Sequence, residues 1–202
     1  MKYIIHRGIT SKSIKENTYQ SIKRSLLSKE SLGVETDIRL TKDKIIVLSH
    51  NSIINNNYIE NMTYKEILKH KYLTTLDMIL DINTNKIILL DVKTNNNYKL
   101  FSEVLNIYLD NTNKNIYIMS FDKRFIKYIK TKYKKAVISI YPKKYKYNVM
   151  VVNYRFTSDK KISNINNKEM FLWTIHNTKE LEDVKSKYKY INDYYIIKDM
   201  KE

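Results

Sequence analysis

The sequence contains no cysteine, which excludes disulfide bonds, thiolate zinc sites and cysteine nucleophiles. It has one proline and only two glycines, so the few positions that need an unusual backbone conformation stand out. No apolar run approaches the roughly 20 residues that span a bilayer. The N-terminus also has no apolar core of the kind found in signal peptides. We therefore expect a soluble protein of the cytoplasm.

The size and composition of the chain indicate one folded unit. Hydrophobic residues make up 43% of the 202 residues and aromatic residues 12%, mostly through 18 tyrosines, which is too apolar for a disordered chain. The sequence has no internal repeat and no linker-like stretch. We predict a single domain over residues 1–202, large enough to fold without disulfides.

Positive charge exceeds negative charge by a wide margin. The chain has 37 Lys and Arg residues against 21 Asp and Glu residues, a formal net charge of +16. Such an excess attracts anionic partners. However, 32 of the basic residues are lysines, and they are spread along the chain without a basic arm. We interpret them as a solvated surface that attracts small phosphorylated molecules. We expect no nucleic-acid partner. Nucleic-acid binding is an alternative that only the net charge supports.

Short β-branched and apolar runs alternate with segments of helical periodicity, which is typical of parallel βα units. Thr63 and Glu66 form a capping box at one helix start, and Asp122 is expected to cap a helix that runs to about Lys132. Eight predicted strands indicate a closed (β/α)8 barrel in one compact domain, with a doubly wound open sheet as the alternative. The predicted strands are residues 2–5, 33–40, 86–92, 116–119, 136–141, 149–153, 169–174 and 194–197.

Acidic residues lie on the second and third predicted strands. Glu35 and Asp37 are two residues apart, so their side chains point to the same face of the strand. Two buried like charges repel each other, and a hard divalent cation such as Mg²⁺ or Ca²⁺ relieves the repulsion. Asp91, on the neighbouring strand, is a candidate third ligand. An isolated Glu-x-Asp pair on a solvated edge strand would need no cation, and this interpretation stays open.

The triplet His6-Arg7-Gly8 follows the first predicted strand and combines three kinds of chemistry. Histidine moves protons near neutral pH, arginine binds phosphate oxygens in a bidentate manner, and glycine allows a ligand to approach the backbone. His6 could equally be a hydrogen-bonded core histidine. His50 and Lys93 follow later extended segments, so they belong to the same end of the predicted barrel, where barrels of parallel strands build their sites.

Taken together and in this order, these motifs resemble the glycerophosphodiester phosphodiesterase family. The first motif is IIHRG followed by Glu16-Asn17-Thr18, and the second is GVETDIRLTKDKIIVLSHN. The third is LLDVK, which contains Asp91 and Lys93. Weaker similarity follows in IMSFD, FLWTIHN and YYIIKD. The strong resemblance covers about residues 3–93, and the weaker one covers the rest of the chain.

The resemblance implies a (β/α)8 barrel that hydrolyses a small-molecule glycerophosphodiester to an alcohol and glycerol 3-phosphate. It implies a divalent metal ion, Mg²⁺ or Ca²⁺, as the cofactor. His6 and His50 would be the catalytic acid–base pair. The other implied site residues are Glu35, Asp37 and Asp91 as metal ligands, Arg7 and Lys93 as phosphate contacts, Glu16 and Asn17 as loop support, and Phe121 and Trp173 as pocket walls.

The sequence departs from the family pattern at two positions. Asn51 follows His50 where the family commonly has aspartate, and Asp91 replaces the common glutamate. These departures motivate one alternative, a catalytically lapsed barrel that binds anionic ligands. The short segment after His50 predicts a more open pocket and motivates the other, a lysophospholipase D-type enzyme that acts on lipid phosphodiesters. His176 follows the seventh predicted strand and is a further candidate for substrate contact.

Overall fold

The computed structural model describes residues 1–143, 145–163 and 169–202. Eight of its strands are parallel and form a closed barrel, because the first strand pairs with both the second and the last. The predicted (β/α)8 barrel is confirmed, and the open-sheet alternative is wrong. The strands of the described residues are β1 (Lys2–His6), β2 (Gly33–Leu40), β3 (Ile46–Leu48), β4 (Ile53–Ile54), β5 (Asn57–Tyr58), β6 (Ile87–Val92), β7 (Asn115–Ser120), β8 (Lys134–Ser139), β9 (Val149–Asn153), β10 (Glu169–Ile175) and β11 (Tyr195–Lys198).

Helices connect most of the successive barrel strands. The longest has 13 residues, and in the described part of the chain no helix has the length and apolar character to cross a membrane. The helices are α1 (Tyr19–Leu27), α2 (Tyr64–Leu68), α3 (Leu76–Leu80), α4 (Tyr98–Asp110), α5 (Lys123–Tyr128), α6 (Asp159–Ser163) and α7 (Thr178–Lys187). Single 3₁₀ turns lie at Ile59–Asn61, Tyr154–Phe156 and Ile191–Asp193.

The two predicted helix starts are confirmed, whereas one predicted helix end is wrong. Thr63 accepts a hydrogen bond from the backbone of Glu66, whose carboxylate accepts one in return at 2.7 Å. Asp122 caps α5 by accepting from the backbone N–H of Arg124 at 2.9 Å. α5 ends at Tyr128 rather than near residue 132, since Ile129 adopts an extended conformation and buries its side chain in the core.

Alternation of side chains along the strands divides the core into two layers. Val34 and Ile38 of β2 belong to the apolar layer that packs against the helices. A second apolar cluster, which includes Leu89 and Met119, fills the barrel interior. Glu35 and Asp37, which alternate with those two β2 residues along the strand, therefore face inward. In the register between β2 and β6, Asp37 pairs with Asp91, so these two residues lie at the same level of the barrel.

The short strand β3, in the long segment between β2 and β6, positions His50. β3 runs antiparallel to β2, with Leu48 opposite Ile38, so the chain doubles back along the carboxyl end of β2. The backbone N–H of Ser49 then donates to the carbonyl of Asp37 at 3.0 Å. His50 is thereby held beside the strand that carries the acidic residues.

Gly33 allows β2 to approach β6 closely. A Cβ atom at this position would lie 2.2 Å from the carbonyl oxygen of Ile87 and 2.7 Å from its Cβ. Such contacts with backbone atoms cannot be relieved by a side-chain rotation, so a larger residue would force the two strands apart.

We predict that Gly33→Ala lowers the free energy of unfolding by about 3 kcal/mol, because the added methyl group overpacks the β2–β6 pair. Urea unfolding followed by circular dichroism measures the effect. Lys185→Ala, an exposed position on α7, is the control and should change stability by less than about 0.5 kcal/mol. Wild-type stability of Gly33→Ala would contradict the close approach of these strands.

Candidate active site

A cavity of about 270 Å³ opens at the carboxyl ends of the barrel strands. It is lined by residues from opposite halves of the sequence, since the barrel brings β1, β2, β6 and β10 around one axis. Glu16 and Asn17 lie outside its lining. The other predicted site residues line it: His6, Arg7, Glu35, Asp37, His50, Asp91, Lys93, Phe121 and Trp173.

The cavity contains a cluster of buried carboxylates. Glu35, Asp37 and Asp91 offer oxygen atoms that lie within 4.8 Å of one another, and none of the three is more than 5% exposed. Burial and the two neighbouring carboxylates raise the pKa of Glu35 well above its usual range. β2 lies between β1 and β6, so the interpretation of Glu35 and Asp37 as residues of a solvated edge strand is wrong.

Two cationic side chains partly neutralise this cluster. Lys93 Nζ lies 3.1 Å from Asp37 Oδ1 and donates to Asp91. Arg7 Nε lies 2.9 Å from Asp37 Oδ2. Burial opposes the ionisation of Asp37, but Lys93 and Arg7 outweigh it and hold its pKa below the usual range. Burial raises the pKa of Asp91 to about 6, although Lys93 opposes this shift.

The cluster meets the requirements of a hard divalent cation. Carboxylate oxygens are the ligands that Mg²⁺ and Ca²⁺ prefer. Asp91 Oδ1 is buried, and no group of the described residues forms a hydrogen bond with it. Burial and the neighbouring carboxylates also destabilise the ionised form of Glu35. A bound cation would satisfy both groups.

The two predicted catalytic histidines both line the cavity, on segments that pair with the edge of β2 opposite β6. His6 is on β1, with Nε2 3.8 Å from Glu35 Oε2 and a side chain that is 15% exposed. His50 follows β3, and burial lowers its pKa despite the nearby charge of Asp37. Its backbone carbonyl accepts two hydrogen bonds from Arg39, which is also paired with Glu60 at 2.9 Å. This Arg39–Glu60 pair fixes the segment that carries His50, and the sequence reasoning missed it.

The loop after β1 is tied to the acidic cluster through Asn17. The Asn17 side chain donates to Asp37 Oδ2 at 2.9 Å and accepts from Thr36 Oγ1 at 2.7 Å. Glu16 accepts from Arg7 Nη1 at 3.0 Å. Gly8 has a φ of +88°, and a Cβ there would lie 2.6 Å from Ser21, so only glycine is accommodated. These contacts orient the Arg7 guanidinium towards the carboxylates.

Aromatic side chains form part of the cavity wall. The rings of Phe121 and Trp173 meet edge to face with their centroids 5.6 Å apart. Lys93 Nζ lies 5.8 Å from the centroid of the Phe121 ring. Tyr154 and Arg155, which follow β9, also line the cavity, and the sequence reasoning did not single them out.

The structure adds Asp199 to the candidate site. This residue follows β11, and its two carboxylate oxygens lie 2.7 Å from His6 Nδ1 and 2.8 Å from His176 Nδ1. Burial opposes its ionisation, but the hydrogen bonds to the two histidines outweigh burial and hold its pKa below the usual range. Its position at the carboxyl end of the eighth predicted strand was the signal that could have identified it.

Solved structures of known proteins share this fold. A glycerophosphodiester phosphodiesterase from Parabacteroides distasonis has a TM-score of 0.78 at 18% identity, over 98% of this chain and 92% of that one. The corresponding enzyme from Thermotoga maritima has a TM-score of 0.74 at 18% identity, over 97% and 93%. A phosphodiesterase from Oleispira antarctica, solved with the product sn-glycerol-3-phosphate, has a TM-score of 0.78 at 14% identity, over 98% and 92%. No curated protein sequence matches the chain.

The family match covers nearly the whole barrel. The model of the glycerophosphoryl diester phosphodiesterase family matches residues 6–191, a range that contains both predicted catalytic histidines and the acidic cluster. The extent of this match, together with the barrel fold, assigns the protein: the chain belongs to the glycerophosphoryl diester phosphodiesterase family and is a phosphoric diester hydrolase.

Proposed function

We propose that this enzyme hydrolyses glycerophosphodiesters to an alcohol and glycerol 3-phosphate, with His6 and His50 as the acid–base pair and Mg²⁺ or Ca²⁺ as the cofactor. The observation that carries the proposal is the convergence of two histidines and three buried carboxylates on one cavity. Its volume of about 270 Å³ suits a small molecule of this kind.

The metal ion would be held by the carboxylates of Glu35, Asp37 and Asp91. When bound, it supplies positive charge that offsets the charge of the phosphodiester and of the transition state. Glu35 and Asp91 then ionise more readily, because the repulsion that raises their pKa values is relieved. The family departure at Asp91 leaves a carboxylate in place, so the oxygen donor set is preserved.

Arg7 and Lys93 are proposed to bind the phosphate. Both line the cavity, and each side chain is 18% exposed, so one side of each cation is accessible to a ligand while the other side contacts Asp37. The planar guanidinium of Arg7 can engage two phosphate oxygens at once. Binding of the phosphate here would place the phosphorus beside His6.

His6 and His50 are proposed to move the protons. One imidazole removes the proton of the attacking hydroxyl, either water or the glycerol 2-hydroxyl, as its oxygen bonds to phosphorus. The bond from phosphorus to the head-group oxygen breaks, and the other imidazole protonates that oxygen, so the alcohol leaves neutral. Attack by water gives glycerol 3-phosphate directly. Attack by the 2-hydroxyl gives a cyclic phosphodiester, which water then opens as the bond from phosphorus to the 2-oxygen breaks and that oxygen is protonated, with the two imidazoles exchanging roles. Phe121 and Trp173 would wall the space that the departing alcohol occupies.

A second candidate function is hydrolysis of lysophospholipids. The observation that favours it is the exposed aromatic rim of the cavity face. Tyr141 and Phe156 follow β8 and β9, remain 55% and 43% exposed, and place their ring centroids 5.1 Å apart. Phe121 is 50% exposed on the same face. Such a rim could cover part of an acyl chain.

We predict that His6→Ala and His50→Ala each lower kcat for glycerophosphocholine at least about 100-fold, because each removes one proton-transfer group. Enzyme-coupled detection of glycerol 3-phosphate measures turnover. His70→Ala is the matched control, since this histidine is exposed and lies outside the cavity lining. Near-wild-type turnover of both active-site variants would contradict the assigned roles.

Calorimetric titration with Mg²⁺ and Ca²⁺ tests the metal site without relying on turnover. We predict that Asp91→Asn weakens binding of the preferred ion at least about tenfold, because the amide cannot supply the carboxylate charge. Asp81→Asn, an exposed position at the end of α3, should bind the ion as the wild type does. Equal affinity in Asp91→Asn and Asp81→Asn would exclude Asp91 as a ligand.

A comparison of two substrates separates the candidate functions. We predict a higher kcat/KM for glycerophosphocholine than for lysophosphatidylcholine, because the enclosed part of the cavity is small. A higher value for the lysolipid would favour the lipid phosphodiesterase. Saturable binding of glycerophosphocholine without turnover in the presence of either metal would select the catalytically lapsed barrel.

A further inference from the structure

Three neighbouring strands bring His6, Asp199 and His176 side by side. β11 lies between β1 and β10 in the barrel. Ile5 of β1 and Ile175 of β10 are both in register with Lys198 of β11. The residues that follow these three positions are His6, Asp199 and His176. Asp199 lies between the two histidines. The backbone of Asp199 is held by a 2.9 Å hydrogen bond from its N–H to the carbonyl of Ile175.

The contacts of Asp199 restrict both imidazoles. An ionised carboxylate only accepts hydrogen bonds, so each histidine must donate from the atom that faces it. Oδ1 lies 2.7 Å from His6 Nδ1, and Oδ2 lies 2.8 Å from His176 Nδ1. A neutral imidazole carries one proton, so a proton on Nδ1 leaves Nε2 with a free lone pair.

The Nε2 atoms of these histidines are the ones available to a substrate. His6 Nε2 lies on the side of Glu35 Oε2, at 3.8 Å, which is the side of the acidic cluster. His176 lines the same cavity, is 52% exposed, and has no hydrogen-bond partner at Nε2 among the described residues. The two rings are 6.4 Å apart, centroid to centroid, and lie at 70° to each other.

We propose that Asp199 is a positioning residue whose carboxylate fixes His6 and His176 as Nδ1-protonated imidazoles and turns both Nε2 atoms towards the substrate. This inference rests on the proposed function for the role of His6, and it adds His176 as a substrate contact. His6 Nε2 then exchanges the proton of the reaction, whereas His176 Nε2 binds a polar group of the substrate at the mouth of the cavity.

The tautomers can be observed without turnover. Long-range ¹H–¹⁵N correlation spectra of the metal-free protein, recorded at a pH at which the histidines are neutral, distinguish Nδ1–H from Nε2–H rings. His6→Ala and His176→Ala assign the signals. We expect both rings as Nδ1–H tautomers in the wild type and a mixture that includes Nε2–H in Asp199→Ala. Nε2–H tautomers in the wild type, or unchanged spectra in the variant, would overturn the proposal.

Kinetics test the consequence for catalysis. We expect Asp199→Ala to lower kcat about 100-fold, because the His6 ring is no longer held in the productive orientation, and to change KM less. Asp193→Ala, an exposed position before β11, is the matched control for loss of an aspartate. Asp199→Asn should recover part of kcat, since its amide offers one acceptor oxygen, enough for one of the two imidazoles. If Asp199→Ala does not fold, Asp199→Asn takes its place as the test of the positioning role.

His176→Ala should show a different kinetic signature from Asp199→Ala. We expect KM to rise about tenfold while kcat changes by less than about threefold, because a single polar contact with the substrate is lost. A full kcat in Asp199→Ala and Asp199→Asn would overturn the positioning role, and an unchanged KM in His176→Ala would overturn the substrate contact. A wild-type enzyme without turnover on any glycerophosphodiester would instead refute the proposed function, while the tautomer spectra would still decide the geometry.

Discussion

Three carboxylates enclosed in the barrel are the constraint on which the rest of the site depends. Removing Glu35, Asp37 and Asp91 from water costs several kcal/mol per ionised group, and their mutual repulsion adds to that cost. Lys93 and Arg7 offset part of it through ion pairs with Asp37, but Asp91 Oδ1 still has no hydrogen-bond partner among the described residues. The acidic cluster therefore destabilises the folded chain when no cation is bound. A divalent cation would balance its negative charge.

The surrounding contacts serve to orient groups around this charge. Asn17 ties the loop after β1 to Asp37, and the Arg39–Glu60 pair holds the carbonyl of His50. Asp199, on the opposite side of β1, holds the imidazole ring of His6 through its Nδ1 atom. Each catalytic candidate is thus supported by a buried or half-buried polar residue on another segment of the chain. Such support fixes side-chain orientation before a substrate binds.

Local rules of sequence account for the barrel and for the inward carboxylates. The two-residue spacing of Glu35 and Asp37 predicts a shared face, because the side chains of a strand alternate. The level of Asp91 depends on the register between β2 and β6, which spacing alone does not specify. Asp199 contacts His6 across 193 residues of sequence, and no local pattern predicts such a pairing. The early end of α5 likewise depends on the burial of Ile129 in the assembled core.

The most direct test of the central claim is an anomalous difference map from crystals grown with Mn²⁺, which prefers the same oxygen ligands as Mg²⁺. We predict one strong peak among the carboxylate oxygens of Glu35, Asp37 and Asp91, with Lys93 displaced from Asp37 or Asp91. A map without a peak in the cavity, with Lys93 still paired to both aspartates, would show that lysine alone balances the cluster and would contradict a metal-dependent site.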